Sequence, residues 1–339
     1  MKNIFDYDYE ALNELLLSLG EKSYRTRQIW EWIYQKKVSS FDSMTNLSKD
    51  LIKKLEDNIS FNFIKIKTKQ ESDLTKKYLF ELVDKNYIEA VLMMHDYGLS
   101  VCVSSQVGCN MGCVFCESGR LKKVRNLETY EIVEQILLIE KDLGKRIDSV
   151  VIMGIGEPFD NYNNIIDFIK IINNPNGLAI GARHITVSTS GLIPKIKEFS
   201  NLPLQVNLAV SLHAPNNELR NRLMPVNKAY PLDELIVSLK EYIKKTNRRV
   251  TIEYVMLKGV NDSNSNALEL ADLLKGMNIY VNLIPYNETS HIEFKKTEKE
   301  NILKFYDTLK KNGINVTIRK EFGSGIDAAC GQLRAKEGE

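Results

Sequence analysis

The sequence predicts an α/β protein whose main part is an open, partial (β/α)6 barrel. Three observations along the 339-residue chain predict it. Residues 1–58 carry apolar side chains at helical spacing, residues 59–95 show a period of two, and residues 96–339 alternate between apolar strands and amphipathic helices. We therefore expect a small N-terminal helical domain, a short antiparallel sheet extension and then the barrel.

The N-terminal region contains three predicted helices, at 9–19, 24–37 and 48–55. Gly20 ends the first, and Ser48 is a predicted N-cap for the third. The second, Y-R-T-R-Q-I-W-E-W-I-Y-Q-K-K, holds both tryptophans beside basic residues. A nucleic-acid surface has this composition, but so does an ordinary amphipathic helix with a solvated basic face.

Strands and helices alternate after residue 96, which is typical of a parallel sheet with right-handed crossovers. About six such units are too few to close an eight-fold barrel. The predicted strands are 101–105, 149–153, 184–188, 206–212, 249–256, 279–284 and, more weakly, 315–319. The predicted helices lie near 128–143, 162–173, 192–200, 232–245, 264–276 and 296–312.

Composition excludes some classes of protein and leaves others open. A hydrophobic content of 43% can form a full core, and a net charge of +2 neither requires nor excludes nucleic acid. The first ten residues are polar, and no apolar run approaches membrane-spanning length. We expect a cytoplasmic protein that has no membrane partner and, in a reducing compartment, no structural disulfides.

Four of the five cysteines lie between Cys102 and Cys116, and Cys109, Cys113 and Cys116 form a C-x3-C-x2-C triplet. Structural zinc normally requires four protein ligands, and no second C-x2-C pair is present. Three soft thiolates on a glycine-containing loop favour an iron–sulfur cluster with one iron left open, with zinc as the alternative.

Polar residues follow several of the predicted strands, where the functional groups of β/α barrels collect. They are G154-I-G-E-P, S188-T-S-G, S211-L-H and Pro285-Tyr286-Asn287. Each alone is also explained as a turn or a polar strand end. Together they predict one site, in which Glu157 accepts from an amino group and the hydroxyls of Ser188 and Ser211 and the amide of Asn287 hold a carboxylate, a ribose or an adenine edge.

These motifs resemble those of radical S-adenosylmethionine enzymes, and more narrowly the RlmN/Cfr family of ribosomal RNA adenine methyltransferases. The resemblance runs nearly end to end. It includes Y24-R-T-R-Q-I-W-E-W-I-Y, M44-T-N-L-S-K, C102-V-S-S-Q-V-G-C, R125-N-L, G154-I-G-E-P-F-D-N-Y, V187-S-T-S-G, S211-L-H-A-P, L223-M-P, G259-V-N-D-S and D327-A-A-C-G-Q-L.

The resemblance implies one [4Fe-4S] cluster, two molecules of S-adenosylmethionine per turnover and a reaction that uses two further cysteines. Cys330 takes a methyl group, an adenosyl radical removes hydrogen from that methyl, and the carbon radical adds to adenine. Cys102 then resolves the adduct through a transient disulfide with Cys330, and Glu89 accepts a proton. The matched cluster ligands are Cys109, Cys113 and Cys116, and the matched cosubstrate positions are Gly156, Glu157, Ser188, Ser211, Leu212, His213 and Asn287.

Carbon 2 of an adenine in the peptidyl transferase centre of 23S ribosomal RNA is the expected target, with transfer RNA as a further possible substrate. Val107, Pro158, Pro285 and the C-G-Q-L-R ending resemble the carbon-2 branch. The stretch C116-E-S-G-R-L-K-K-V and Ile155 depart from the usual pattern, so a Cfr-type enzyme that methylates carbon 8 and confers antibiotic resistance is the alternative.

Two other classes compete with an RNA methyltransferase. One is a radical enzyme acting on a protein or small molecule, which the basic aromatic N-terminal helix and the Cys102/Cys330 pair disfavour. The other is a non-catalytic RNA-binding protein stabilised by iron–sulfur or zinc. The radical chemistry would require an external electron donor such as flavodoxin, and we expect a monomer.

Overall fold

The computed structural model describes residues 1–289, 291–319 and 326. Its N-terminal region holds three α-helices, α1 (Tyr9–Ser18), α2 (Tyr24–Trp30) and α3 (Lys49–Asn58), and α2 continues into a π-helical segment, Glu31–Gln35. The hydroxyl of Ser48 accepts a hydrogen bond of 3.2 Å from the amide of Leu51, as a helix N-cap does. The predicted helical region is therefore present.

Four antiparallel strands follow, and they lead into the barrel. They are β1 (Lys65–Ser72), β2 (Thr75–Glu81), β3 (Tyr87–His95) and β4 (Gly98–Cys102). Strand β4 pairs antiparallel with β3 on one side and parallel with β7 (Ser149–Ile152) on the other. The short sheet is thus continuous with the barrel, and β4 belongs to both.

The remaining elements alternate as the sequence predicts. The other strands are β5 (Gln106–Val107), β6 (Arg125–Asn126), β8 (Ile185–Thr189), β9 (Asn207–Ser211), β10 (Val250–Met256), β11 (Ile279–Pro285) and β12 (Val316–Ile318). The helices are α4 (Glu117–Arg120), α5 (Thr129–Leu143), α6 (Tyr162–Asn173), α7 (Ile193–Phe199), α8 (Asn217–Leu223), α9 (Leu232–Thr246), α10 (Asn264–Leu274) and α11 (Lys299–Lys311).

A single sheet runs in the order β1-β2-β3-β4-β7-β8-β9-β10-β11-β12, and every neighbouring pair from β4 to β12 is parallel. Side chains such as Ile152, Val187 and Val210 are fully buried, because helices cover the outside of such a sheet and the barrel core fills the inside. Within the described residues β1 and β12 are the outer strands, which confirms the open, partial barrel.

The first barrel strand ends earlier than predicted, at Cys102 instead of residue 105. Just beyond it, the Val103 amide still bonds to the Val151 carbonyl. Gly154 packs so closely there that a Cβ on it would lie 2.7 Å from the Ser104 hydroxyl. The regular ladder therefore gives way to a tight contact between two loops.

Helix α8 was not predicted, nor was the β5–β6 pair, because segments of seven and two residues are too short to show a clear period.

Among the described residues, no helix has the length and apolar character needed to cross a membrane.

Candidate active site

A cavity opens at the carboxyl ends of the parallel strands, where the sequence predicts the site. Loops after β5, β7, β8, β9 and β11 contribute to its wall. The predicted site residues that line it are Cys109, Cys113, Cys116, Gly156, Glu157, Ser188, Ser211 and His213. Residues that are distant in sequence thus form one concave surface at the edge of the sheet where cofactor sites are usually found.

The cysteine loop is fixed by its own backbone. Gly108 has φ +73°, and a Cβ there would lie 2.2 Å from the carbonyl oxygen of Lys122, so only glycine fits. The amide of Cys109 bonds to the Leu121 carbonyl at 3.0 Å, and the amide of Val114 bonds to the Leu223 carbonyl at 3.1 Å. The loop is therefore anchored both to the segment that follows it and to the end of α8.

The thiols of this loop are costly to ionise without a positive partner. All four cysteines that the structure describes are thiols, and burial raises the pKa of Cys109 to about 12. Burial, with the fields of Cys116 and Cys109, raises the pKa of Cys113 well above its usual value. Bound metal supplies the missing positive charge and deprotonates coordinating thiols. The donor set therefore fits a metal cofactor.

The shape of the donor set also bears on which cofactor it fits. Within residues 1–289, 291–319 and 326, no three His, Cys, Asp or Glu side chains converge on a point where one metal ion could bind. Zinc needs its ligands to converge in this way, whereas the thiolates of an iron–sulfur cluster each bind a different iron. The cluster is supported by the donor type, since three soft thiolates on one loop are the ligands that an iron–sulfur cluster takes.

Glu157 is held by the backbone of its own turn and of the loop after β8, and by the side chain of Gln106. Its carboxylate accepts from the amide of Ser190 at 2.7 Å and from that of Phe159 at 3.0 Å. Its own amide donates to the side-chain oxygen of Gln106 at 2.9 Å. Burial raises the pKa of Glu157 although these amides lower it. The carboxylate is thus fixed in place at the cavity wall, with acceptor capacity left for a ligand amino group.

Gly156 explains why the G-x-G-E-P loop contains its second glycine. Its φ is +110°, and a Cβ on it would lie 2.6 Å from the Cβ of Gln106. The loop can therefore approach β5, the strand that leads to the cysteine triplet, only because Gly156 has no side chain.

His213 is a neutral hydrogen-bonding group. Burial, helped by the nearby Arg220, lowers its pKa to about 3. Its Nδ1 accepts from the amide of Val255 at 3.0 Å, so in the neutral ring the proton is on Nε2, which can donate. The residue has φ +58°, and Asn261 donates to its carbonyl at 2.9 Å, which stabilises this left-handed conformation.

Two predicted cosubstrate positions do not line the cavity. Leu212 is fully buried, and its amide bonds to the carbonyl of Glu253 at 3.0 Å. Asn287 follows β11, and its side-chain nitrogen lies 3.5 Å from the carbonyl of Pro285. Both lie beside the cavity, next to residues that form its wall.

Glu89 lies in the antiparallel sheet with a cation beside it. Its Oε1 is 3.3 Å from the Nζ of Lys77, and both side chains are almost fully buried. The hydroxyl of Ser104 donates to the Glu89 carbonyl at 2.6 Å and accepts from the Ile155 amide at 2.9 Å. Ser104 therefore links the Glu89 strand to the G-x-G-E-P loop.

Cys102 ends β4 and belongs to a small apolar cluster with Val91, Met93 and Ile155. Cys102 lies opposite Val91 in the β3–β4 register, and Glu89 is two residues from Val91, on the same face of β3. Ile326 packs against this cluster. Cys330 itself lies outside the described residues. Of the residues near Cys330 in sequence, Ile326 is the one that the structure describes, and it lies in the neighbourhood of Cys102.

Three other groups at the cavity were missed from the sequence. Glu253 of β10 and Arg319 after β12 line it, and Asn282 donates to the Glu253 carboxylate at 2.9 Å. Arg220 of α8 lies behind it, fully buried. A charged residue inside an apolar strand was the available signal for Glu253; for Arg220 there was none, since its helix was not predicted.

Comparisons with known proteins agree with this geometry. Residues 2–60 match the family described as "Ribosomal RNA large subunit methyltransferase N-terminal domain", and residues 103–274 match the "Radical SAM superfamily". The "Probable dual-specificity RNA methyltransferase RlmN" of Enterococcus faecalis is 56% identical, covering 99% of this chain and 97% of that protein. That of Acholeplasma laidlawii is also 56% identical, covering 98% and 99%.

A solved structure, that of a radical SAM methyltransferase from Sphaerobacter thermophilus, superposes with a TM-score of 0.94 at 42% identity, covering 99% of this chain and all of that one. The likeness extends over the N-terminal helices, the antiparallel strands and the barrel. This chain therefore belongs to the RlmN family of radical S-adenosylmethionine methyltransferases, enzymes that work with a [4Fe-4S] cluster and S-adenosylmethionine.

Proposed function

We propose that this enzyme methylates carbon 2 of an adenine in the peptidyl transferase centre of 23S ribosomal RNA. The observation that carries the proposal is the single cavity at which the C-x3-C-x2-C thiols meet the polar ends of β7, β8 and β9, in a chain of the RlmN family. The dual-specificity name of the relatives supports an adenine of transfer RNA as a second substrate. The compared relatives give no indication of the carbon-8 alternative.

Cys109, Cys113 and Cys116 would hold three irons of the cluster. The cluster, when bound with S-adenosylmethionine, supplies the radical that a polar reaction at an aromatic C–H lacks. Around it, Glu157 would accept from the amino group of the cosubstrate, and Nε2 of His213 and the hydroxyls of Ser188 and Ser211 would donate. Gly156 leaves room for close backbone approach. Leu212 and Asn287 would complete this site from beside it.

Cys330 and Cys102 would relay the methyl group. Cys330 would first take a methyl group from one S-adenosylmethionine, with loss of the thiol proton and departure of S-adenosylhomocysteine. A covalent thioether to the RNA would then divide one hard step into two. Cys330 is four residues from Ile326, so its Cα lies within about 14 Å of that residue even for a fully extended chain. Ile326 packs in the Cys102 cluster, which supports the proposal that Cys330 comes within reach of Cys102.

Glu89 would accept the proton that the adenine carbon loses as the adduct is resolved. Lys77 lies 3.3 Å from its carboxylate and would hold it in place. Ser104 fixes the backbone at Glu89 and also the loop that holds Glu157. The base and the cosubstrate site are therefore positioned by the same hydroxyl.

The remaining assignments concern domains and partners. We assign residues 1–58 to an RNA-binding helical domain, 59–95 to the antiparallel extension and 96–339 to the barrel with its catalytic C-terminal segment. The family match over residues 2–60 supports the first boundary. An external electron donor such as flavodoxin would reduce the cluster, and we expect a monomeric, cytoplasmic enzyme.

Product analysis tests the proposal. The protein is reconstituted anaerobically and incubated with S-adenosylmethionine, a reductant and either unmodified 23S ribosomal RNA or transfer RNA. The RNA is then digested, and its nucleosides are compared with methyladenosine standards by mass spectrometry. We expect 2-methyladenosine. 8-Methyladenosine would place the enzyme in the resistance branch, and cleavage of S-adenosylmethionine with neither product would mean that the substrate is wrong.

A further inference from the structure

Arg220 is a fully buried cation, and its hydrogen-bond acceptors in the described part of the chain are all neutral. Its Nε donates to the Leu212 carbonyl at 3.2 Å, and one terminal nitrogen donates to the side-chain oxygen of Asn227 at 2.8 Å. The other terminal nitrogen donates to the carbonyls of Ser190 at 2.5 Å and Ser211 at 3.3 Å. No carboxylate is among these acceptors, so the bonds orient the guanidinium but do not balance its charge.

A buried charge without an anionic partner is strongly unfavourable, so an anion is expected nearby. Burial lowers the pKa of Arg220 to about 10, and the field of Cys113 acts in the opposite direction. The carbonyl of Leu223, at the end of the Arg220 helix, bonds to the amide of Val114, which follows Cys113. The cysteine loop and the buried cation are thus held on adjoining backbone.

We propose that Arg220 is a positioning residue that fixes the two strand ends of the cosubstrate site and provides the positive charge that favours reduction of the cluster. The inference rests on the proposed ligation of the cluster by Cys113. Reduction adds one negative charge to a cluster already surrounded by thiolates. A fixed cation in a region of low dielectric stabilises that reduced state more than the oxidised one.

The hydrogen bonds of Arg220 explain the positioning role. They join the carbonyl of Ser190, just after β8, to that of Ser211, at the end of β9. Gly191 makes the approach possible, since a Cβ on it would lie 3.0 Å from Leu235 and 3.3 Å from the guanidinium. The neighbouring Ser188 and His213 are the proposed cosubstrate ligands, so the same side chain sets their spacing.

A redox titration of the reconstituted full-length enzyme tests the inference. It is carried out without RNA, and electron paramagnetic resonance measures the reduced cluster at each potential. In Arg220→Gln we expect the reduced-to-oxidised ratio at a fixed potential to fall at least tenfold, which is about 59 mV for one electron. Arg220→Lys keeps the charge but loses the planar fork. We expect it to hold that ratio within about threefold while S-adenosylmethionine binds more weakly.

Arg248→Gln is the matched control. Arg248 also donates to two backbone carbonyls, those of Leu204 and Val206, but these precede β9 and lie at the opposite end of the sheet. Its reduction equilibrium should equal that of the wild type. The inference is overturned if Arg220→Gln binds full iron and titrates like Arg248→Gln.

If Arg220→Gln binds less iron, its redox titration cannot be compared with that of the wild type, and Arg220→Lys provides the test. A tenfold fall in the reduced-to-oxidised ratio of Arg220→Lys, despite the retained charge, would contradict the inference. The outcome is separable from the proposed function. A redox shift in an enzyme that methylates no RNA would leave the inference standing and remove the function. If the wild type methylates RNA but the potential of Arg220→Gln is unchanged, the function stands and the inference is removed.

Discussion

The cysteine loop and the Glu89–Cys102 region are both part of the proposed site, but they are built in different ways. In the loop, three candidate ligands lie within eight residues, and a glycine that tolerates no Cβ fixes the backbone. In the second region, the register of β3 and β4 brings together residues thirteen positions apart in sequence. Local spacing determines the first arrangement, and sheet register determines the second.

This difference has consequences for mutation. A substitution in the loop should remove the cofactor and leave the sheet intact. A substitution of Glu89 disturbs a buried ion pair inside the sheet, so stability and chemistry should both suffer. Iron content and the free energy of unfolding distinguish these two kinds of effect.

Cys113→Ala should have the largest effect, the loss of cluster and of all methylation. Removing one of three thiolates leaves too few donors for a stable cluster. Iron analysis should fall far below the four irons per chain expected of the wild type, while circular dichroism stays unchanged because the barrel core does not include this thiol. A variant that kept four irons and its activity would contradict the assignment of Cys113 as a ligand.

Glu89→Gln should slow methylation by roughly 10²- to 10⁴-fold, the usual contribution of a proton acceptor. It should also destabilise the protein by about 3–5 kcal/mol, because it removes one member of a buried ion pair. Single-turnover assays and urea unfolding measure the two effects.

Glu71→Gln is the control for stability in the same sheet. Glu71 pairs with Lys76 at 3.0 Å, but its side chain is 51% exposed. An exposed pair contributes about 0–1 kcal/mol. If Glu89→Gln were no more destabilising than Glu71→Gln, the buried Lys77–Glu89 pair would contribute no more to the free energy of unfolding than an exposed pair does.

His213→Asn tests the buried imidazole through pH. The native pKa of about 3 lies below the unfolded value of 6.5, so the unfolded state binds the extra proton between these values. Stability should therefore fall as pH decreases through this window. Between pH 7.5 and 5.5 this titration should lower the free energy of unfolding of the wild type by about 1.4 kcal/mol. The variant lacks the imidazole, so its loss over the same interval should be smaller by that amount.

Asparagine is the suitable replacement because it tolerates φ +58° and can still accept from the amide of Val255. Urea unfolding of both proteins at the two pH values provides the measurement. Equal pH dependence would contradict the account, because it would mean that folding does not lower the pKa of His213.

Ser188→Ala and Asn287→Ala should have the smallest effects, both on the affinity for S-adenosylmethionine. The difference between them shows which side chain contacts the ligand. Ser188 lines the cavity, so the loss of one hydrogen bond of about 1 kcal/mol should weaken S-adenosylmethionine binding roughly fivefold. Asn287 lies beside the cavity, and its substitution should have less effect. Equilibrium dialysis of the cosubstrate measures both, and a larger effect at Asn287 would place that side chain in contact with the ligand.

The sequence was sufficient for those parts of the site that follow strand ends. The cysteine triplet, Gly156–Glu157, Ser188 and Ser211 all occur where apolar runs stop, and parallel strands bring their ends to one edge. Arg220 could not be predicted, because its helix is only seven residues long and its partners are backbone carbonyls from distant loops. The Lys77–Glu89 pair depends on the register of β2 and β3, which alternation alone does not fix.

Two thiols from opposite ends of the barrel sequence, Cys102 and Cys330, should act on one adenine. The most direct test incubates Cys102→Ala, with its cluster reconstituted, with S-adenosylmethionine and RNA, and maps crosslinked peptides by mass spectrometry. We expect full iron content and a covalent RNA adduct on Cys330. An intact cluster with no adduct, or with methylated RNA released at the wild-type rate, would contradict the two-thiol account.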